Sequence, residues 1–258
     1  MKNFFAGCLL ALVAAMPAAG QSLNLPLPGL LGDLTVSFQD VTGLSLLNLG
    51  VSVQLVSPLN PGLRARLPET VSIPFGLPVL MRIEPLASSD FAFHGVATVQ
   101  ILSLFAPKSS RMYAASSGGN FEDISTSNVQ VASSYRVIGT KGGFSEFLIV
   151  SDHTPADVVH AKKLDHLDQI LADNAGVIAA GVQADLAAQL AVLRGHVEGG
   201  QTAVAIQDLS TFLATVTQHS GTDIPDVWRS ARDLVNVAGQ LRAAGETLRF
   251  SLQQELGQ

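Results

Sequence analysis

The feature that most constrains this chain is a change of hydrophobic period near Ser151. Ahead of it, apolar residues recur at every second position between clusters of Gly, Pro and Ser. Beyond it they recur every three or four positions for about a hundred residues. Alternation marks half-buried strands, and the longer period marks amphipathic helices. The spacing predicts a segregated α+β fold. An antiparallel β-sandwich, Ig-like or a partial barrel, is expected over residues 34–152. An up-down helical bundle of about four helices is expected over 153–258.

Residues 1–20, MKNFFAGCLLALVAAMPAAG, set Lys2 before an apolar run from Phe4 to Ala15, then Pro17 before small residues. That is the anatomy of a secretory signal peptide, with cleavage expected after Ala19 or Gly20. The run is too short to span a bilayer. A secreted or periplasmic location is expected. Cys8, preceded by too few residues for a lipoprotein leader, departs with the signal. The mature chain then lacks thiols, which excludes disulfides, thiolate metal sites and cysteine nucleophiles.

Residues 21–150 carry 7 Lys+Arg and 8 Asp+Glu, whereas residues 151–258 carry 7 and 13. The acidic second part argues against nucleic acid or anionic lipid as partner, because both need clustered cations. No membrane span is expected in the mature chain.

Residues 21–33 hold Pro26 and Pro28, which bar a helix or a central strand, so they read as an extended lead-in packing leucines on the domain. Strands are expected over 34–38, 51–56, 71–73, 79–83, 91–104, 129–137 and 144–150. The sharpest local signal predicts a hairpin turning at Thr140-Lys141-Gly142-Gly143. The strand after it is apolar on both faces, Phe147 and Ile149 on one and Leu148 and Val150 on the other, and is placed centrally. Ser116 to Asn120 reads as a plain turn, since it lacks the acidic ladder of a calcium loop. No Lys-Ser/Thr pair follows Gly142-Gly143, so it is no phosphate loop.

In the second part, Thr154-Pro155-Ala156-Asp157 has the chemistry of a helix start. Stripes follow on Leu164, Leu167, Leu171 and Ala175, on Val182, Leu186, Leu190 and Leu193, and on Ala205, Leu209, Phe212, Leu213 and Val216. Asp223-Ile224-Pro225-Asp226 repeats the start and predicts a fourth helix through Trp228, Ala231, Val235, Ala238, Leu241 and Gly245, with Trp228 as the bundle's aromatic plug.

The polar residues assemble into no recognised chemistry. His94, His153, His160, His166, His196 and His219 form no HExxH or HxH pair, and His160 and His166 fall on different faces of a helix. Ser145 lacks the flanking glycine of a nucleophile elbow. Asp165, Asp168, Asp173 and Asp185 read as solvated helix faces. Glu122, Asp123 and Glu146 are the carboxylates that sandwich loops would offer to a hydrolase. No catalytic, cofactor-binding or metal-binding residue is assigned.

Residues 208–216, DLSTFLATV, with a turn at Gly221 and a helix through Ala231, Leu234 and Ala238, resemble the FIMAH-type helical modules at the ends of secreted bacterial enzymes and surface proteins. The segments GGFSEFLIVSD, IPDVWRSARDLVNVAG and TLRFSL make the whole chain similar to an uncharacterised family of exported bacterial two-domain proteins. That resemblance implies no activity and carries over no functional residue. The expectation is an exported, non-catalytic binding or structural protein with a protein or glycan partner. Its rivals are a carboxylate hydrolase and a carrier of apolar ligands.

Overall fold

A computed structural model describes residues 20–27, 32–104, 109–116 and 118–257; residues 1–19 of the expected signal segment, Cys8 included, lie outside them, as does 28–31 of the lead-in. The fold is α+β, with strands first and long helices after them. One antiparallel sheet runs β1 (Gln21–Leu27), β2 (Gly32–Thr42), β6 (Ala92–Ser103), β10 (Ser134–Lys141) and β9 (Ser125–Val131). The other runs β3 (Val51–Leu55), β5 (Val79–Ile83), β11 (Glu146–Asp152), β7 (Ser110–Ala115) and β8 (Glu122–Asp123), with β4 (Val71–Ser72) on β11. Two four-residue helices, α1 (Leu46–Leu49) and α2 (Pro61–Arg64), lie among the strands.

One apolar cluster draws on both sheets: Val36, Val99 and Val137 from the first, Met81, Phe147 and Ile149 from the second. The outer face of the second sheet buries Leu80, Leu148 and Val150 under Leu63, Leu67 and Phe121. Each buried side chain of this size contributes about 1.5–3 kcal/mol. The double-sided pattern of β11 thus has its physical cause, and the strand lies between β5 and β7 as its composition predicts.

Four long helices follow: α3 (Ala156–Asp173), α4 (Ala180–Glu198), α5 (Thr202–His219) and α6 (Val237–Glu255). The first three bury the stripes read from the sequence, except Ala175, which lies past the end of α3 at Asp173 and is exposed. α3 packs on α4 and α6, and α5 on α4 and α6, around a second apolar cluster.

One local expectation is sharpened and three are corrected. The extended lead-in pairs with β2 as an edge strand, a place that tolerates Pro26. Residues 129–137 are parts of two strands, reversed at Ala132 with φ +55°. The glycine turn after β10 makes no hairpin, because β10 lies in one sheet and β11 in the other. Thr154 does not cap α3; its hydroxyl meets that of Thr70 at 2.6 Å.

The largest correction concerns residues 220–236. The fourth helix does not start at Pro225. Instead β12 (Val227–Arg229) pairs with β6 of the first sheet, Trp228 opposite Phe93. Trp228 plugs the β core, not the helices: it stacks on Phe93 (centroids 5.5 Å) and meets Phe144 edge-on (5.3 Å). Aromatic pairs add about 0.5–1.5 kcal/mol beyond their burial, and with the ladder bonds they outweigh a local helical pattern. The last helix restarts at Val237, where Asn236 accepts from Gly239 N.

Candidate functional site

The path of β12 brings α6 onto β6, β9 and β10. Asn236 fixes the contact. Its amide donates to Gly95 O (2.6 Å) and to Gly142 O (3.1 Å) while its Oδ1 caps α6. A Cβ on Gly142 would lie 2.5 Å from Gln240 N, and one on Gly239 would lie 2.0 Å from Gly95 O. These glycines therefore permit close backbone approach. Gly142 and Gly143 do not have positive φ among the described residues, so close packing, not turn geometry, explains Gly142.

Beside this contact a cavity of about 790 Å³ opens between the strands and α3 and α6. Its floor is a buried polar network. Lys163 Nζ donates to Thr247 O (2.9 Å) and Ser251 Oγ (2.7 Å) and pairs with Asp123 at 2.6 Å. All three ammonium protons are used. Burial pulls the Lys163 pKa below its ordinary value, with Asp123 opposing. Tyr113 donates to Asp152 at 2.8 Å. Burial, with Asp123 and Asp152 adding to it, pushes the phenol upward, so it stays a neutral donor.

Two groups in the wall differ. Lys141, half-buried at the end of β10, lines the cavity and has no carboxylate at ion-pair distance among the described residues. Burial lowers its pKa, partly offset by the more distant charge of Glu122. Next to it in sequence, the hydroxyl of Thr140 is buried without a hydrogen-bond partner among the described residues. Phe144 and Trp228 supply an aromatic wall.

The residues singled out in the sequence are scattered. Asp123 is held by Lys163, and Glu122 is exposed beside His166 at 3.7 Å. Glu146 is buried away from the cavity between Arg66 (2.5 Å) and Arg82 (2.8 Å). Burial would raise its pKa, but bonds from Arg82 and Arg66 and their charges hold it below the usual carboxylate range. His94, His160, His196 and His219 each face one carboxylate: Asp226, Glu255, Asp208 and Asp223. No group of three such ligands could hold a metal ion among the described residues. Asp165 and Asp168 share Arg194, and Asp173 accepts from Gln169. Ser145 is buried, its hydroxyl unbonded by any described residue.

Lys141, Lys163, Tyr113 and Asp152 were not picked out by motif. A signal existed for one of them: Lys163 stands four residues before Leu167, on the stripe that α3 buries. A lysine on such a stripe must find partners or a raised cost of burial.

No helix among the described residues is long and apolar enough to cross a membrane. None of the curated proteins matches this chain. A family model described as "Family of unknown function (DUF6689)" matches residues 21–255, and so spans the strands and the long helices alike.

Proposed function

The chain belongs to the DUF6689 family of unknown function, and from that premise we propose an exported, non-catalytic binding protein that takes a small amphipathic anion at the junction of strands and helices. In this reading the paired sheets form a β-sandwich, the four long helices form a bundle, and residues 1–20 direct export. The likeness of residues 208–216, within α5, to FIMAH-type modules fits a packing or docking role for the helices.

One observation carries the reading. Lys141 is a partly desolvated ammonium on a cavity of about 790 Å³, with no protein carboxylate at ion-pair distance among the described residues. A cation is costly to desolvate without a counter-charge, so a ligand carboxylate, sulfonate or phosphate gains at that point. Thr140 adds an unused hydroxyl, and Phe144 and Trp228 offer an apolar surface for the rest of the molecule. The volume lies within the roughly 300–1,000 Å³ of small-molecule sites.

Carboxylate hydrolysis is supported less well. A general acid needs a raised pKa, whereas Glu146 is held low by two arginines and Asp123 is occupied by Lys163. A carrier of purely apolar ligands would not line its cavity with Lys141, Lys163 and Asp123.

The test uses anilinonaphthalene sulfonate, an amphipathic anion whose fluorescence reports an apolar contact, and decanol as a neutral comparison. Saturable enhancement that Lys141→Met lowers tenfold or more supports the reading. Equal titrations for wild type and Lys141→Met, or binding of decanol alone, would end it.

A further inference from the structure

The four outer margins of the two sheets are not alike. Edge strands expose unpaired N–H and C=O groups, and proteins blunt them with proline, charge, shortness or a cover. β1 carries Pro26, while β4 and β8 are two residues long and β8 is Glu122-Asp123. β9 is tied to β7 through Ser125 and Asn128, whose side chains bond Met112 and Ser110, and α6 packs on it. β3 has none of these devices. From Val41 to Leu63 the chain has no Asp, Glu, Lys, Arg or His at all.

The free groups of β3 can be named. Gly50 O accepts from Glu84 N (3.2 Å) and Val56 N donates to Pro78 O (2.9 Å). In the alternation of an antiparallel ladder, even-numbered residues therefore face β5, and Val51, Val53 and Leu55 turn both backbone groups outward. No described residue bonds them.

The side chains repeat the message. Val53 lies opposite Met81 and Leu55 opposite Val79, so they share the face that forms the apolar core. Met81 and Val79 are fully buried, yet Val53 is 41% exposed and Leu55 69%. At this margin the core face runs on past its cover. Leu46 and Leu47 of α1, just before β3, are exposed as well.

We propose that this edge pairs with the same edge of a second copy, antiparallel about a twofold axis through Val53, joining two six-stranded sheets into one of twelve. An uncharged strand meets its own copy without like-charge repulsion, although the chain as a whole carries a net charge of −6. The axis sets Val53 opposite Val53 and Val51 opposite Leu55, so each free group finds its complement and the exposed valines and leucines cover one another. Such an interface is isologous and closes on itself. Among the described strands each chain has one edge of this kind, so assembly stops at two.

The experiment is analytical sedimentation of protein expressed from the full-length sequence, across a concentration series. Wild type is expected at the mass of two chains. Val53→Lys and Val53→Glu are each expected at the mass of one, and an equimolar mixture of the two regains the dimer, because residue 53 faces itself across the axis. Val129→Lys, at an exposed position on β9, is the control and stays dimeric. Matching thermal melts for all variants separate lost association from lost folding. A wild-type monomer at every concentration, including one that partitions onto phosphatidylcholine vesicles, overturns the proposal. A dimer that survives Val53→Lys does so too, as does a Lys/Glu mixture that stays monomeric. None of these outcomes bears on Lys141, which ends β10, an interior strand of the first sheet, and is read by its own titration.

Discussion

Lys163 of α3 and Asp123 of β8 meet 2.6 Å apart, with side chains only 8% and 9% exposed. Among the described residues the pair is the most buried charge contact between the long helices and the strands. Removing one partner of a buried pair strands the other charge and costs about 3–5 kcal/mol, whereas replacing both by apolar residues is often close to neutral. Lys163→Met and Asp123→Leu alone are therefore each expected to lose about that much in urea unfolding. The double variant is expected to recover most of it. Additive losses in the double variant would show that the two side chains do not act as a pair.

Glu146 gives the fold an acid limb. Its folded-state pKa is held low by Arg82 and Arg66 against the upward push of burial. The unfolded chain then binds the proton more readily, so stability rises with pH across that window. The contribution is fully present above the ordinary Glu range and disappears as pH falls through the lowered value. Glu146→Gln should lose roughly 2–4 kcal/mol at neutral pH, since it leaves Arg66 largely buried without its charge partner. Its melting temperature should also fall less steeply than that of wild type on acidification. Parallel pH profiles for the two proteins would refute the assignment.

Trp228 links the fates of the two parts of the chain. It is the single tryptophan, and it belongs to β12, which the helical part contributes to the first sheet. Its fluorescence should therefore change at the same denaturant midpoint as the helical circular dichroism. Trp228→Ala should lower both midpoints together, by roughly 2–3 kcal/mol, below the ~3–5 of a fully buried tryptophan because the ring is only partly covered. Two separated transitions in wild type would mean that β12 does not couple them.

What the sequence made legible follows from how local each cause is. The stripes of α3, α4 and α5 and the double-sided strand β11 depend on periodicity within one element, and those residues are buried, Ala175 past the end of α3 excepted. The partner of each strand depends on distant residues. Gly142-Gly143 looks like a hairpin turn, yet Gly142 is needed where the backbone of α6 comes within contact. Trp228 repeats at helical spacing with Ala231 and Val235, yet ladder bonds to Phe93 and three ring contacts decide its conformation. The cavity was illegible for the same reason. Lys141, Lys163 and Trp228 stand far apart in the chain, and only the return of β12 to the strands brings them to one wall.

Asn236 offers the narrowest test of that return. Its side chain works in both directions: Oδ1 accepts from Gly239 N at 2.9 Å, and Nδ2 donates to Gly95 O and Gly142 O. A cap alone is worth about 1 kcal/mol, and aspartate caps as well as asparagine. If capping were the whole role, Asn236→Asp would be nearly silent. In this setting the residue is fully buried and faces two carbonyls. Aspartate would keep the cap but lose both donors and set a carboxylate against two acceptors, the arrangement a low-dielectric site penalises most. Asn236→Ala leaves the two carbonyls unpaired and should cost about 2–4 kcal/mol. Asn236→Asp should cost at least as much at neutral pH and recover in part as acid protonates it. An Asn236→Asp variant as stable as wild type at neutral pH would mean that the two carbonyl bonds do not hold α6 to the strands.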